Sequence, residues 1–77
     1  MKLKIFGKLT DIFTTDEYNF SLENIKSIAE LKLMLEIEFP KLKETTYLVA
    51  VNGTKAENTQ AISNVSEIAL LPPYSGG

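Results

Sequence analysis

The chain has 77 residues, 44% of them hydrophobic and 23% charged, with a formal net charge of −2; that is enough for one ordinary globular domain and too little for a second core or a deep cleft. Its eight basic residues are all lysine, and histidine, cysteine, arginine and tryptophan do not occur, which excludes the usual nucleophile–base pairs, disulfides, His/Cys metal sites and the two-pronged guanidinium grip on phosphate. With no basic footprint for nucleic acid, no apolar run of membrane-spanning length and no leader-like N-terminus, the expectation is a cytoplasmic protein without catalytic residues, bound cofactor or metal of its own.

Lys2-Leu3-Lys4-Ile5-Phe6 alternates polar and apolar residues and predicts a strand with Leu3 and Ile5 inward, ended by Gly7. Leu9, Ile12 and Phe13 recur at helical spacing and predict a short helical turn. Beyond the turn-like Thr14-Thr15-Asp16, the residues Tyr18, Phe20 and Leu22 alternate with Asn19 and Ser21, predicting a second strand in a hairpin with the first. Ser27-Ile28-Ala29-Glu30 reads as a capping box, in which Ser27 accepts from the Glu30 N–H and the Glu30 carboxylate reaches back to the N–H of Ser27. The helix that follows carries Ile28, Leu31, Met34, Leu35 and Phe39 on one stripe and stops near Phe39, because Pro40 disfavours helical geometry at the residue before it. Leu33 and Ile37 fall on the opposite side and read as isolated exposed apolar residues.

Tyr47-Leu48-Val49-Ala50-Val51 is nearly continuous in its apolarity and suits a strand inside a sheet. Asn52-Gly53 is a turn signal, Thr54 to Ala56 a short returning strand, and Glu57 to Asn64 a polar irregular stretch. Glu67-Ile68-Ala69-Leu70-Leu71 is the last strand, with Ile68 and Leu70 on one face and Ala69 and Leu71 on the other. One helix stripe then covers one face of one mixed sheet of about five strands, with the first and last strands parallel neighbours at its centre. This α+β order matches the ubiquitin-like β-grasp, with residues 1–71 forming the domain and residues 72–77 an extended tail.

Pro72 and Pro73 cannot donate ladder hydrogen bonds, so the strand stops there and the chain leaves stiffly. Tyr74 and Ser75 follow, and Gly76 and Gly77 carry no side-chain bulk. The six residues after Leu71 reach roughly 20 Å when extended, at about 3.3–3.6 Å each. A stiff base, a thin end and a carboxylate at Gly77 together suit activation inside a narrow enzyme channel, where a side chain at either of the last two positions would obstruct. Tethering then delivers the loaded group to a partner's site at high local concentration. The plain alternative is a frayed glycine-rich terminus.

Leu70-Leu71-Pro72-Pro73-Tyr74-Ser75-Gly76-Gly77 resembles the C-terminus of the small, sulfur-carrying subunit of molybdopterin synthase, in which two apolar residues, two prolines, two variable residues and Gly-Gly stand in that order. Ala50-Val51-Asn52 before its turn is similar to that family's third strand, whereas Asn64-Val65-Ser66-Glu67 replaces its Asp-Gly-Asp type of turn. The resemblance implies that Gly77 is adenylated by an E1-like activating enzyme using ATP and converted to a thiocarboxylate with sulfur from a donor protein. It implies that Pro72, Pro73, Tyr74, Ser75 and Gly76 thread into the large synthase subunit, where the sulfur passes to cyclic pyranopterin monophosphate. It further implies a heterotetramer of two small and two large subunits, with no nucleic-acid or membrane partner. If Leu3, Ile5, Ile68 and Leu70 face the helix, Phe6 and Leu71 face out and form a partner-docking patch beside the tail, unless the 8–15 connection covers them. The competing readings are a sulfur carrier for another pathway (thiamine or cysteine synthesis, with the double proline arguing against the thiazole type), a ubiquitin-like modifier joined to lysines, and an interaction module with an idle tail.

Overall fold

The computed structural model describes residues 1–62 and 67–73. Strand β1 (Lys2–Ile5) leads into helix α1 (Leu9–Phe13), strand β2 (Glu17–Asn19), helix α2 (Ile28–Glu38) and a 3₁₀ turn (Pro40–Glu44). Strands β3 (Leu48–Val51), β4 (Thr54–Lys55) and β5 (Ile68–Leu71) complete a five-stranded sheet in the order β2-β1-β5-β3-β4. β1 and β5 are parallel, with Leu3 opposite Ile68, Lys4 opposite Ala69 and Ile5 opposite Leu70. β1–β2, β3–β5 and β3–β4 are antiparallel. This mixed sheet with one main helix on one face is the ubiquitin-like β-grasp.

The alternation read from the sequence decides which face is covered. Leu3, Ile68 and Leu70 are fully buried and Ile5 nearly so, against Ile28, Leu31 and Leu35 of α2. Met34 and Phe39 continue the α2 stripe as half-buried residues packed on that core, while Leu33 and Ile37 stand 62% and 72% exposed. Phe13, Tyr18 and Phe39 close one end of the core as an aromatic trio, with ring centroids 4.2 to 5.7 Å apart. Leu42, in the 3₁₀ turn, is also fully buried; Pro40 stops α2 and opens this turn, so it is more than a terminator.

Two local expectations are corrected. β2 ends at Asn19, short of the alternation through Leu22, although the Phe20 N–H still donates to the carbonyl of Met1 at 2.9 Å. The Ser27 hydroxyl accepts from the Glu30 N–H at 3.3 Å as expected, but the Glu30 carboxylate accepts from the N–H of Lys26, at 2.6 Å, instead of that of Ser27. Over its described residues 57–62, the polar stretch from Glu57 is irregular as expected, and it touches the start of α2. Gln60 and Asn58 carbonyls accept from the N–H groups of Ile28 and Ala29 at 3.0 and 2.9 Å, and Ser27 bridges Ala61. Two N–H groups of the first helical turn, which have no partner within the helix, are thereby satisfied.

Asn52 and Gly53 both have positive φ, +52° and +83°, as the two-residue β3–β4 hairpin requires. Asn52 also starts β5. Its N–H donates to the Glu67 carbonyl and its side-chain oxygen accepts from the Glu67 N–H, both at 2.8 Å. Between the layers, the Tyr47 hydroxyl donates to Glu36 of α2 at 2.6 Å. Burial, and then this hydrogen bond to a carboxylate, push the Tyr47 phenol well above the ordinary tyrosine range.

Candidate functional site

β5 is the middle strand of the sheet, paired on both sides, and it carries the chain to Leu71. Parallel pairing with β1 continues one step further, since the Phe6 N–H donates to the Leu70 carbonyl at 3.0 Å. Pro72 follows, half-buried, and Pro73 is exposed. The chain therefore leaves from the sheet centre, and the prolines begin where its ladder ends.

On the sheet face away from α2, the same register brings the outward residues together. Phe6 is 45% exposed, and Leu71 is half-buried opposite Leu48. Phe6 and Leu71 line one shallow depression together with Lys4, Ala50 and Ala69. An exposed aromatic and small floor residues, flanked by the Lys4 ammonium and the Glu67 carboxylate, make an apolar surface with a charged rim that a partner could cover. A second depression, lined by Gly7, Lys8, Thr45, Thr46, Pro72 and Pro73, flanks the exit itself.

The structure thus places Phe6, Leu71, Pro72 and Pro73 at one end of the domain. Tyr74, Ser75, Gly76 and Gly77, and the turn at Asn64-Val65-Ser66, lie outside the described residues. Gly7 and Asn52 escaped the reading of the sequence as site residues. Gly7 stood there as a strand terminator and Asn52 as half of a turn. The available signal was register: Gly7 and Pro72 each lie two residues beyond the Ile5–Leu70 pair. Among the described residues, no group of three or more His, Cys, Asp or Glu could hold a metal ion, and no helix is long and apolar enough to cross a membrane.

The mixed sheet, its central last strand and the helix packed on one face define a ubiquitin-like β-grasp protein. Residues 3–77 match the model of the ThiS family, and the chain belongs to that family of ubiquitin-like sulfur carriers. Solved structures agree in fold. A candidate molybdopterin converting factor, subunit 1, from Pyrococcus furiosus is 20% identical with a TM-score of 0.84, over 94% of each chain. Small archaeal modifier protein 1 from Haloferax volcanii is 22% identical with a TM-score of 0.78, over 99% of this chain and 97% of its own. Its namesake from Methanosarcina acetivorans is 24% identical with a TM-score of 0.75, over 99% and 94%.

Proposed function

We propose that this chain is the sulfur carrier of molybdopterin synthesis, acting through the carboxylate of Gly77. The observation that carries the reading is the tail base: a central strand ending in Leu71-Pro72-Pro73, with the Phe6–Leu71 surface beside it. The family match runs through Gly77, and a molybdopterin converting factor candidate shares the fold.

In the proposed reaction the Gly77 carboxylate attacks the α-phosphorus of ATP on an E1-like activating enzyme, giving an acyl-adenylate and releasing pyrophosphate. Hydrosulfide then displaces AMP and leaves a thiocarboxylate; where a donor protein's persulfide attacks instead, a second thiol cleaves the resulting acyl disulfide, releasing the thiocarboxylate and ending in a disulfide with the donor's sulfur. Residues 72–76 thread into the large synthase subunit, whose surface covers Phe6 and Leu71. The thiocarboxylate sulfur attacks a side-chain carbon of the cyclic pyranopterin monophosphate and displaces an oxygen leaving group from it, and water then hydrolyses the thioester, leaving the sulfur on the pterin and returning the carboxylate to Gly77. The carrier supplies the electrophilic carbonyl, the reach and the docking surface, while partner side chains supply acid–base chemistry.

Intact mass tests this directly. After incubation with ATP, the activating enzyme and a sulfur source, the chain should gain about 16 Da, the difference between sulfur and oxygen in the acyl product. A chain carrying one bulky residue after Gly77 should gain nothing; an equal gain in that variant would refute the proposal. The second reading, a protein modifier, is favoured by the small archaeal modifier proteins that share the fold. It predicts higher-mass conjugates on lysines that survive thiol treatment, and no dependence on the large synthase subunit.

A further inference from the structure

A Cβ built on Gly7 would stand 2.8 Å from Cγ and 3.2 Å from Cδ of Pro72, inside the distance that real Cβ contacts keep. The missing side chain of Gly7 is therefore the space that the Pro72 ring occupies. By contrast, a Cβ on Gly53, the other described glycine with positive φ, would meet nothing within 4 Å.

The Gly7 side of this contact is held from both directions. Upstream, the Phe6 N–H is bonded to the Leu70 carbonyl at 3.0 Å. Downstream, the Gly7 carbonyl accepts from the N–H and the hydroxyl of Thr10, at 3.1 and 2.9 Å, which fixes it to the start of α1. Gly7 has φ +60°, a conformation that glycine adopts without steric cost. Pro72 is the first residue past the paired strand, and its ring locks its own φ. A displaced ring therefore cannot relax by local rotation, so the peptide that leads to Pro73 must turn with it.

We propose that Gly7 is a positioning residue: its bare α-carbon seats Pro72 and so sets the direction in which the C-terminal segment leaves the sheet. On the reading of that segment as the loaded tail, this direction decides how readily an activating enzyme's channel receives it. Gly7 touches no reacting atom and acts through Pro72.

The two demands on Gly7 can be separated by mutation. Asparagine tolerates the left-handed conformation but carries a Cβ, so Gly7→Asn fills the seat with little backbone strain. Pro72→Ala removes the two ring atoms that approach within 3.2 Å. Because the chain has no cysteine, Ser75→Cys gives one attachment point for a nitroxide, whose broadening of backbone amide signals by NMR maps where the segment points. Gly7→Asn should move that broadening onto a different set of amides while the spectrum stays dispersed. In the Pro72→Ala background, adding Gly7→Asn should move it no further. An unmoved footprint in Gly7→Asn, or an equal displacement in both backgrounds, overturns the proposal. Should Gly7→Asn fail to fold, Pro72→Ala alone decides: it must spread the broadening over more amides, and an unchanged footprint overturns the seat.

Kinetics complete the test. In ATP–pyrophosphate exchange with the activating enzyme, Gly7→Asn should raise KM for the carrier on the order of tenfold and leave kcat within about twofold, as for misplaced but chemically intact substrate. A moved footprint with unchanged KM overturns the functional half. If the wild-type chain is never adenylated, the carrier reading fails, and the footprints still decide whether Gly7 seats Pro72.

Discussion

The two faces of the central β1–β5 pair have opposite fates. Toward α2, Leu3, Ile5, Ile68 and Leu70 are buried and hold the layers together. On the other face, Lys4 and Phe6 are exposed, and Ala69 and Leu71 half-buried. A period of two thus divides the labour: one row of side chains supplies the core, and the adjacent row, on the proposed function, is left to a docking partner. An apolar residue in each row has a different job despite similar chemistry, and Leu70 and Leu71, neighbours in the chain, show it most sharply.

Leu70→Ala should cost about 2–5 kcal/mol of folding stability, as buried leucine truncations do, measured by urea denaturation. Leu71→Ala should cost under about 1 kcal/mol. Equal losses would break the contrast between the faces. The complementary experiment is Phe6→Asp, which on the proposed function should weaken binding to the large synthase subunit by at least about tenfold in calorimetry, roughly 1.4 kcal/mol. Its thermal midpoint should stay near that of the wild type; unchanged affinity would remove the outer row's proposed purpose.

A modest effect belongs to the seam between the helix and the sheet. Tyr47→Phe should cost about 1 kcal/mol, the net worth of one hydrogen bond. The raised Tyr47 pKa gives the sign of its pH dependence. Its contribution is fully present below the unfolded tyrosine value of about 10 and is lost as pH rises through the higher folded value. In an alkaline titration followed by tyrosinate absorbance, this phenol should ionise with or after unfolding, and the Tyr47→Phe protein should lack that late step.

Much of this architecture was written in local pattern. The alternation of Leu3 and Ile5, the stripe from Ile28 to Leu35 and the Asn52-Gly53 turn each follow from a period or a φ preference that neighbouring residues express by themselves. The misses are long-range. Nothing near Glu57 announces that Asn58 and Gln60 will satisfy the start of α2, and nothing near Leu42 says that a segment after Pro40 will bury it. β2 stopped at Asn19, because the length of a strand is set by its pairing with β1 and not by its own alternation. At the site, the prolines and the outward turn of Phe6 and Leu71 were legible from alternation. The Gly7–Pro72 contact required the parallel register, which joins residues 65 positions apart.

The middle position of β5 also has a consequence in time. β5 is made after β1 and β3, yet it must lie between them. While the chain is being synthesised, the hairpins at either side have no centre to join, and the helix stripe has half a floor. Completion of the sheet and projection of Pro72 are one event, so a misfolded or unfinished copy cannot offer its far end in the correct frame. On the proposed function, a partner that grips the Phe6 surface and the segment leaving Leu71 at once would in effect inspect the whole domain before accepting its cargo.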